Sequence, residues 1–313
     1  IPGWDKIERN EIVVFNQPAD TLLDMNNFRP DRNYYKPIDK KTNLVKRCVA
    51  IAGDTLEIRN GYVYINGVQT ELPDRAVLQF SYEVRLKPGK TFENSILEQL
   101  KTRYDITDGI YMMGNRIIIP AASNEAVRVF KNHPSVASIT RYIEPKGKAD
   151  SGLFPQDPSY EWNRDFFGPL YIPEKGSSME LNLKTLPLYK RLLTEYEGNT
   201  VTTKGNQIFI NGQRSSSYTF KQNYYWMMGD NRHNSIDARA WGFVPFNHVV
   251  GKPVFIWMSW NSNGKGFNKI RWDRMFTTVH ADGERTSYFI PFLVLLAIWI
   301  GYSKWRKRKN TTV

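Results

Sequence analysis

Cysteine and histidine are scarce in this sequence of 313 residues, with one cysteine, Cys48, and four histidines. A disulfide within the chain is therefore excluded, and so is a zinc site of the CxxC kind. His133, His233, His248 and His280 show no HExxH or other short ligand spacing, so no metal centre is expected. Neither a GxGxxG nor a Walker-type loop occurs, which leaves a nucleotide cofactor without support; no cofactor is expected. Long uncharged apolar runs are absent until the end of the chain, where "SYFIPFLVLLAIWIGY" (Ser287 to Tyr302) carries no charge.

The rest of the composition is that of a folded chain, 41% hydrophobic and 14% aromatic. A net charge of +12 raises nucleic acid as a partner, but Lys304, Arg306, Lys307, Arg308 and Lys309 concentrate basic charge directly behind the apolar run. Dispersed Lys and Arg interleaved with stacking aromatics would be the nucleic-acid pattern, so no nucleic acid is expected. A helix continuing through Trp305 is long enough to cross a bilayer, and Trp299, Tyr302 and Trp305 suit its interface. The other reading is a buried C-terminal helix. In the spanning reading, the basic cluster sets the tail in the cytoplasm and the residues before Ser287 across the membrane.

Short β-branched runs with Gly and Asn turns dominate residues 1–76 and 219–277, "RNEIVVF" and "GDTLEIRNGYVYING" among them, and predict a mainly β core. Between them lies a different texture. Residues 78–86 read as a strand, 91–103 as a helix with Phe92, Ile96, Leu97 and Leu100 on one face, and 109–120 as a strand region. Ser123 opens a second helix to about Lys131, and "VASITRY" closes with a strand. That order, βαββαβ, predicts an α+β insertion of ferredoxin-like type at about 78–144, within an inserted region of 77–218. "NQIFING" near 206–212 echoes "GYVYING" at 61–67, as a weak repeat or as hairpin convergence. Residues 278–313 form the anchor and tail, and Trp257, Trp260, Trp272 and Phe276 before it are either a bilayer-facing surface or core packing.

Two segments carry candidate chemistry. In "LVKRCVAIAGD", strand alternation puts Leu44, Lys46, Cys48 and Ala50 on one face, with Lys46 as its only charge. Such a lysine either snorkels to water or is a lysine the fold wants neutral. "GDNRHNSIDAR" (Gly229 to Arg239) is either a solvated loop with local salt bridges or a loop that presents the Ser235 hydroxyl to a buried site.

"VKRCVAIAGD" together with "GDNRHNSIDARAWGFVP" resembles the bacterial type I signal peptidases, membrane-bound serine proteases with a Ser/Lys dyad. "RNEIVVFNQP" and "VVGKPVFIWMSW" are similar to that family's flanking strands. The resemblance covers about Arg9 to Gly67 and Tyr224 to Trp260, with Ala52 and Ala238 replacing a frequent proline and serine. It implies a signal-peptidase-like β core with Lys46 as general base and Ser235 orienting it. It also implies that Asp230, Arg232, Asp237 and Arg239 brace the loop, that Arg47 is structural, and that Leu44 and Val45 line the substrate pocket. A lysine base must be neutral, and desolvation shifts buried lysines by about 3–5 units.

The family's serine sits in an S-M-x-P box before the lysine strand, so the resemblance implies a nucleophile upstream of Ile1. Ser178 in "GSSMELN" lacks the proline and stands in the wrong order along the chain. The implied activity is removal of signal peptides from exported preproteins at the inner membrane, with the catalytic part periplasmic and preproteins and the lipid bilayer as partners. The rival reading is a membrane-anchored scaffold that kept the fold without catalysis.

Overall fold

In "IVVFN", Val13 and Phe15 alternate with Ile12, Val14 and Asn16, so one face of the strand β1 (Ile12–Asn16) is fully buried. A computed structural model of the chain describes residues 5–20, 36–104, 106, 108–261, 264, 266–279, 283 and 286–310. In it, β1 pairs antiparallel with β2 (Asn43–Ala50) and β18 (Val249–Gly251), and β2 pairs with β16 (Tyr224–Met228), which continues to β17 (Val244–Pro245). The sheet runs β17-β16-β2-β1-β18. All five residues of β16, "YYWMM", are buried, as expected of a strand covered on both faces.

A second sheet, β10-β3-β4-β5, is built from β3 (Thr55–Arg59), β4 (Tyr62–Ile65), β5 (Val68–Gln69) and β10 (Phe167–Tyr171). Val13, Phe15, Leu56, Ile58, Phe167, Leu170 and Trp226 form one core between the two sheets. In β10, Gly168 has φ +88°, and a Cβ there would lie 2.5 Å from the Leu56 carbonyl oxygen. Glycine at this position therefore lets β10 approach β3 where the pairing register shifts between Phe167 and Leu170.

The described residues also form three smaller sheets: β11 (Ser178–Glu180) with β15 (Ser217–Thr219), β12 (Val201–Lys204) with β13 (Gln207–Ile210) and β14 (Gln213–Arg214), and β19 (Phe255–Ile256) with β20 (Thr277–Thr278). The two echoing "ING" segments fold alike. Asn66 and Asn211 take φ of 53° and 51°, each followed by a positive-φ glycine, as a two-residue hairpin turn requires. Their side-chain oxygens accept from Thr55 N and Thr200 N, both at 2.9 Å.

Residues 79–141 form a sheet with its own core. Strands β6 (Gln79–Leu86), β7 (Tyr111–Met113), β8 (Arg116–Ser123) and β9 (Val136–Arg141) are ordered β7-β8-β6-β9, all antiparallel. Helix α1 (Asn94–Tyr104) follows β6 and α2 (Asn124–Asn132) follows β8; Val84, Leu97, Ile117, Ile119 and Phe130 are packed together. Ser123 caps α2 by accepting from Ala126 N. The strand region 109–120 is a hairpin of two strands, because Gly114 takes φ +61° and turns the chain between β7 and β8.

Two short helices, α3 (Leu186–Arg191) and α4 (Ala238–Trp241), lie in the main body. The last helix, α5 (Phe289–Asn310), is long and apolar enough to cross a membrane over Phe289–Lys307, with mean hydropathy 1.2 and none of that window buried in the protein. Phe276 stacks on Phe292 of α5 at 4.7 Å, whereas Trp257, Trp260 and Trp272 are exposed.

Two outcomes are expected. Gly168→Ala should lower the urea stability by on the order of 3 kcal/mol, from a strained backbone and a clash with Leu56; an unchanged midpoint would contradict this role. His248 is buried against Tyr196, and burial, reinforced by the Lys41 charge, pushes its pKa down from 6.5 to about 4. The unfolded chain then takes the proton first as pH falls below 6.5, so stability drops between about pH 6.5 and 4 and levels off below. Urea midpoints across that range should fall less steeply in His248→Gln than in the unsubstituted protein.

Candidate active site

Strand β2 alternates as far as Lys46, with Leu44 and Lys46 half-buried and Asn43 and Val45 exposed; from Arg47 to Ala50 every residue is buried. The change has a structural cause. β16 pairs with β2 only from Arg47 onward, so Asn43–Lys46 has β1 on one side and an open edge on the other among the described residues. Lys46 stands where the second partner strand departs, and there the chain leaving β16 turns into the loop Gly229–Asp237.

That loop is held at both ends by ion pairs. At its start, Arg47 Nε and Nη2 donate to the two Asp230 carboxylate oxygens at 2.8 and 2.6 Å, while Arg47 Nη1 donates to the Asn10 carbonyl. At its end, Arg239 Nε and Nη2 donate to Asp237 at 2.9 and 2.8 Å in a fully buried fork. Asp237 also caps α4 through Arg239 N and accepts from Gly229 N at 3.0 Å, closing the loop on itself. Burial alone would raise its pKa, but the Arg239 charge and these hydrogen bonds outweigh it and hold the carboxyl below its ordinary value.

Between the two anchors, the Ser235 hydroxyl meets Lys46 Nζ at 2.9 Å. Among the described residues it is the one hydrogen-bond partner of that amine. The fit has no slack: a Cβ on Gly229 would lie 2.2 Å from Ser235 Oγ and 3.5 Å from Lys46 Nζ. From the other side, Arg164 Nη1 donates to the Ser235 carbonyl at 3.1 Å. The pair opens into a cleft of about 300 Å³ lined by Ile12, Val45, Asn231 and Asn234 besides the residues already named. A primary amine at the floor of such a cleft, oriented by a hydroxyl, can take a proton from a second hydroxyl entering from above.

The structure thus brings together Lys46, Ser235, Asp230, Asp237 and Arg239, and departs from expectation in two places. Arg232 is buried and, among the described residues, forms no ion pair: Asp230 is taken by Arg47, and Arg232 lies against Met228 with its Nε unpartnered. Burial, with Arg239 nearby, pushes its pKa down to about 10. Leu44 packs against the core cluster, and of the two it is Val45 that lines the cleft. Ser178 lies on the β11–β15 ribbon, exposed, with its hydroxyl 2.7 Å from that of Thr219. Arg164 carried no signal in the sequence, since nothing marks a lone arginine that acts through a main-chain carbonyl. No three His, Cys, Asp or Glu side chains converge among the described residues.

Comparison with known proteins agrees with this architecture. The family model described as "Signal peptidase, peptidase S26" matches residues 2–117 and 214–260, just over half of the chain, and both halves of the cleft fall inside the match. Signal peptidase I of Buchnera aphidicola subsp. Acyrthosiphon pisum is 44% identical over 61 residues, 20% of this chain and 19% of that protein. For signal peptidase I of Helicobacter pylori strain 26695 the identity is 28% over 132 residues, 37% and 45% of the two chains. For that of Leptolyngbya laminosa it is 23% over 171 residues, 50% and 81%. The chain spans less than half the length of the first two relatives. With the strand that carries Lys46 and the loop that carries Ser235 both inside the matched segments, the chain belongs to the signal peptidase family, peptidase S26.

Proposed function

We propose that this chain belongs to a membrane-bound serine endopeptidase that removes signal peptides from exported preproteins, with Lys46 as general base. The observation that carries the reading is the 2.9 Å contact between Lys46 Nζ and Ser235 Oγ at the floor of an open cleft. Neutral Lys46 would accept the proton of a serine hydroxyl as that oxygen attacks the scissile carbonyl. The resulting ammonium would return the proton to the leaving amine, and water would then release the acyl-enzyme by the same route. The attacking serine is read, from the resemblance, as that of the family's S-M-x-P box, which comes before the lysine strand in chain order. Ser235, held by its carbonyl and by the loop anchors, fixes the amine's direction.

The open edge at Asn43–Lys46 supports an extended substrate that adds to the sheet beside β2, with Val45 contacting it. Small side chains at alternate positions, as in the A-x-A pattern of signal peptides, suit a shallow cleft. Helix α5 is read as a membrane span, with exposed Trp257, Trp260 and Trp272 suited to a bilayer interface. The Lys304 to Lys309 cluster then sets the tail in the cytoplasm and the cleft in the periplasm.

In the full-length protein, Lys46→Ala should lower preprotein cleavage by about 10²–10⁴-fold with the fold retained. Gly229→Ala should also cut the rate steeply, because its methyl group displaces Ser235. Near-normal cleavage by Lys46→Ala, followed on a gel with a labelled preprotein, would remove the lysine from the mechanism. For topology, protease added to spheroplasts should reach residues 79–141 and spare a tag fused after Val313; the opposite digestion pattern is incompatible with this function.

A further inference from the structure

The loop that carries Ser235 is also a strand partner of the inserted sheet. Gln79 N, at the start of β6, donates to the Asp230 carbonyl at 2.9 Å, and Arg232 N donates to the Gln79 carbonyl at 2.8 Å, forming a parallel bridge between Gln79 and Asn231. The next N–H on the same edge, that of Ser81, finds no carbonyl there, because the loop has begun to turn toward Ser235. It donates instead to His233 Nδ1 at 3.0 Å, while the Ser81 carbonyl accepts from Tyr142 N. The imidazole therefore stands where the next rung of the ladder would be.

The second ring nitrogen is committed as well. A backbone N–H can only donate, so Nδ1 carries the lone pair and Nε2 the hydrogen, which points at Asp165 Oδ2 at 3.1 Å. Asp165 is itself fixed: it is 1% exposed, its Oδ2 accepts from Glu144 N, and it precedes β10 in the core sheet. The neighbouring Arg164 holds the Ser235 carbonyl, and Asn231 Nδ2 donates to Asp108 Oδ2 at 2.6 Å on the inserted unit. With both nitrogens occupied and Phe80 and Tyr142 packed around the ring, His233 is not placed to exchange protons with a substrate.

We propose that His233 is a positioning residue: by joining Ser81 of the inserted sheet to Asp165 of the core, it locks the loop that aims Ser235 at Lys46, so the insertion is a working part of the active site. The assignment rests on the reading of Lys46 and Ser235 as a catalytic pair, but the lock itself is measurable without activity. His233→Ala removes both bonds. His233→Asn keeps an acceptor at the position of Nδ1, and Asp165→Asn weakens the other bond while preserving shape.

Hydrogen exchange on the full-length protein is the first arm. His233→Ala should speed exchange across residues 230–235 and at Ser81 by about tenfold or more, leaving the β1–β2 ladder and α2 unchanged; His233→Asn should restore protection at Ser81. Preprotein cleavage is the second arm. In His233→Ala, kcat should fall about tenfold or more with KM within about twofold, and His233→Asn should recover most of it. Unchanged exchange in residues 230–235 of His233→Ala overturns the proposal, as does a raised KM with kcat intact. If His233→Ala fails to fold, Asp165→Asn decides by the same exchange pattern. Should the unsubstituted protein prove inactive on preproteins, the functional reading fails and exchange alone still judges the lock.

Discussion

The forked ion pair between Arg47 and Asp230 is the contact on which the cleft depends. Arg47 follows Lys46 on β2, and Asp230 is the second residue of the loop that leaves β16, so one pair of hydrogen bonds ties the amine's strand to the hydroxyl's loop. Arg47 is 6% exposed and Asp230 about a third exposed, which makes the pair partly desolvated. Deleting one member of a buried pair typically costs about 3–5 kcal/mol, because the other charge is stranded. The buried Asp237–Arg239 fork does the same at the far end. With both ends fixed, the residues between them have little freedom, and the Ser235 hydroxyl reaches Lys46 without needing many contacts of its own.

Much of the secondary structure was legible because it follows from local chemistry. The Ser123 cap, the apolar face of α1 and the two Asn-Gly turns are each written within a few residues. Meeting of Lys46 and Ser235 is of another kind. They lie 189 positions apart, and neither alternation nor composition brings them together; only resemblance to a family suggested it.

Charge pairing was the least legible feature. Three arginines and two aspartates near the loop admit several pairings, and the one adopted depends on where β16 ends. Arg47, buried beside that end, takes Asp230, and Arg232 is left buried against Met228 with charges of both signs nearby. His233 and Asp165 were silent for a similar reason. Their link exists because a strand from the insertion and a loop from the core share one edge, which no short window of sequence contains.

The way the main sheet is threaded also orders its assembly. β2 cannot acquire its second neighbour until the chain has reached β16, with the whole of β6–β9 lying between them, whereas the inserted sheet draws all its strands from Gln79–Arg141. On a ribosome the inserted unit is therefore complete in sequence while the main sheet still lacks β16, β17 and β18. Closing the long loop to β16 is entropically easier once the intervening chain is compact. Residues 230–232 are thus made only after the β6 edge they pair with, so the loop of the cleft is the later partner of that bridge.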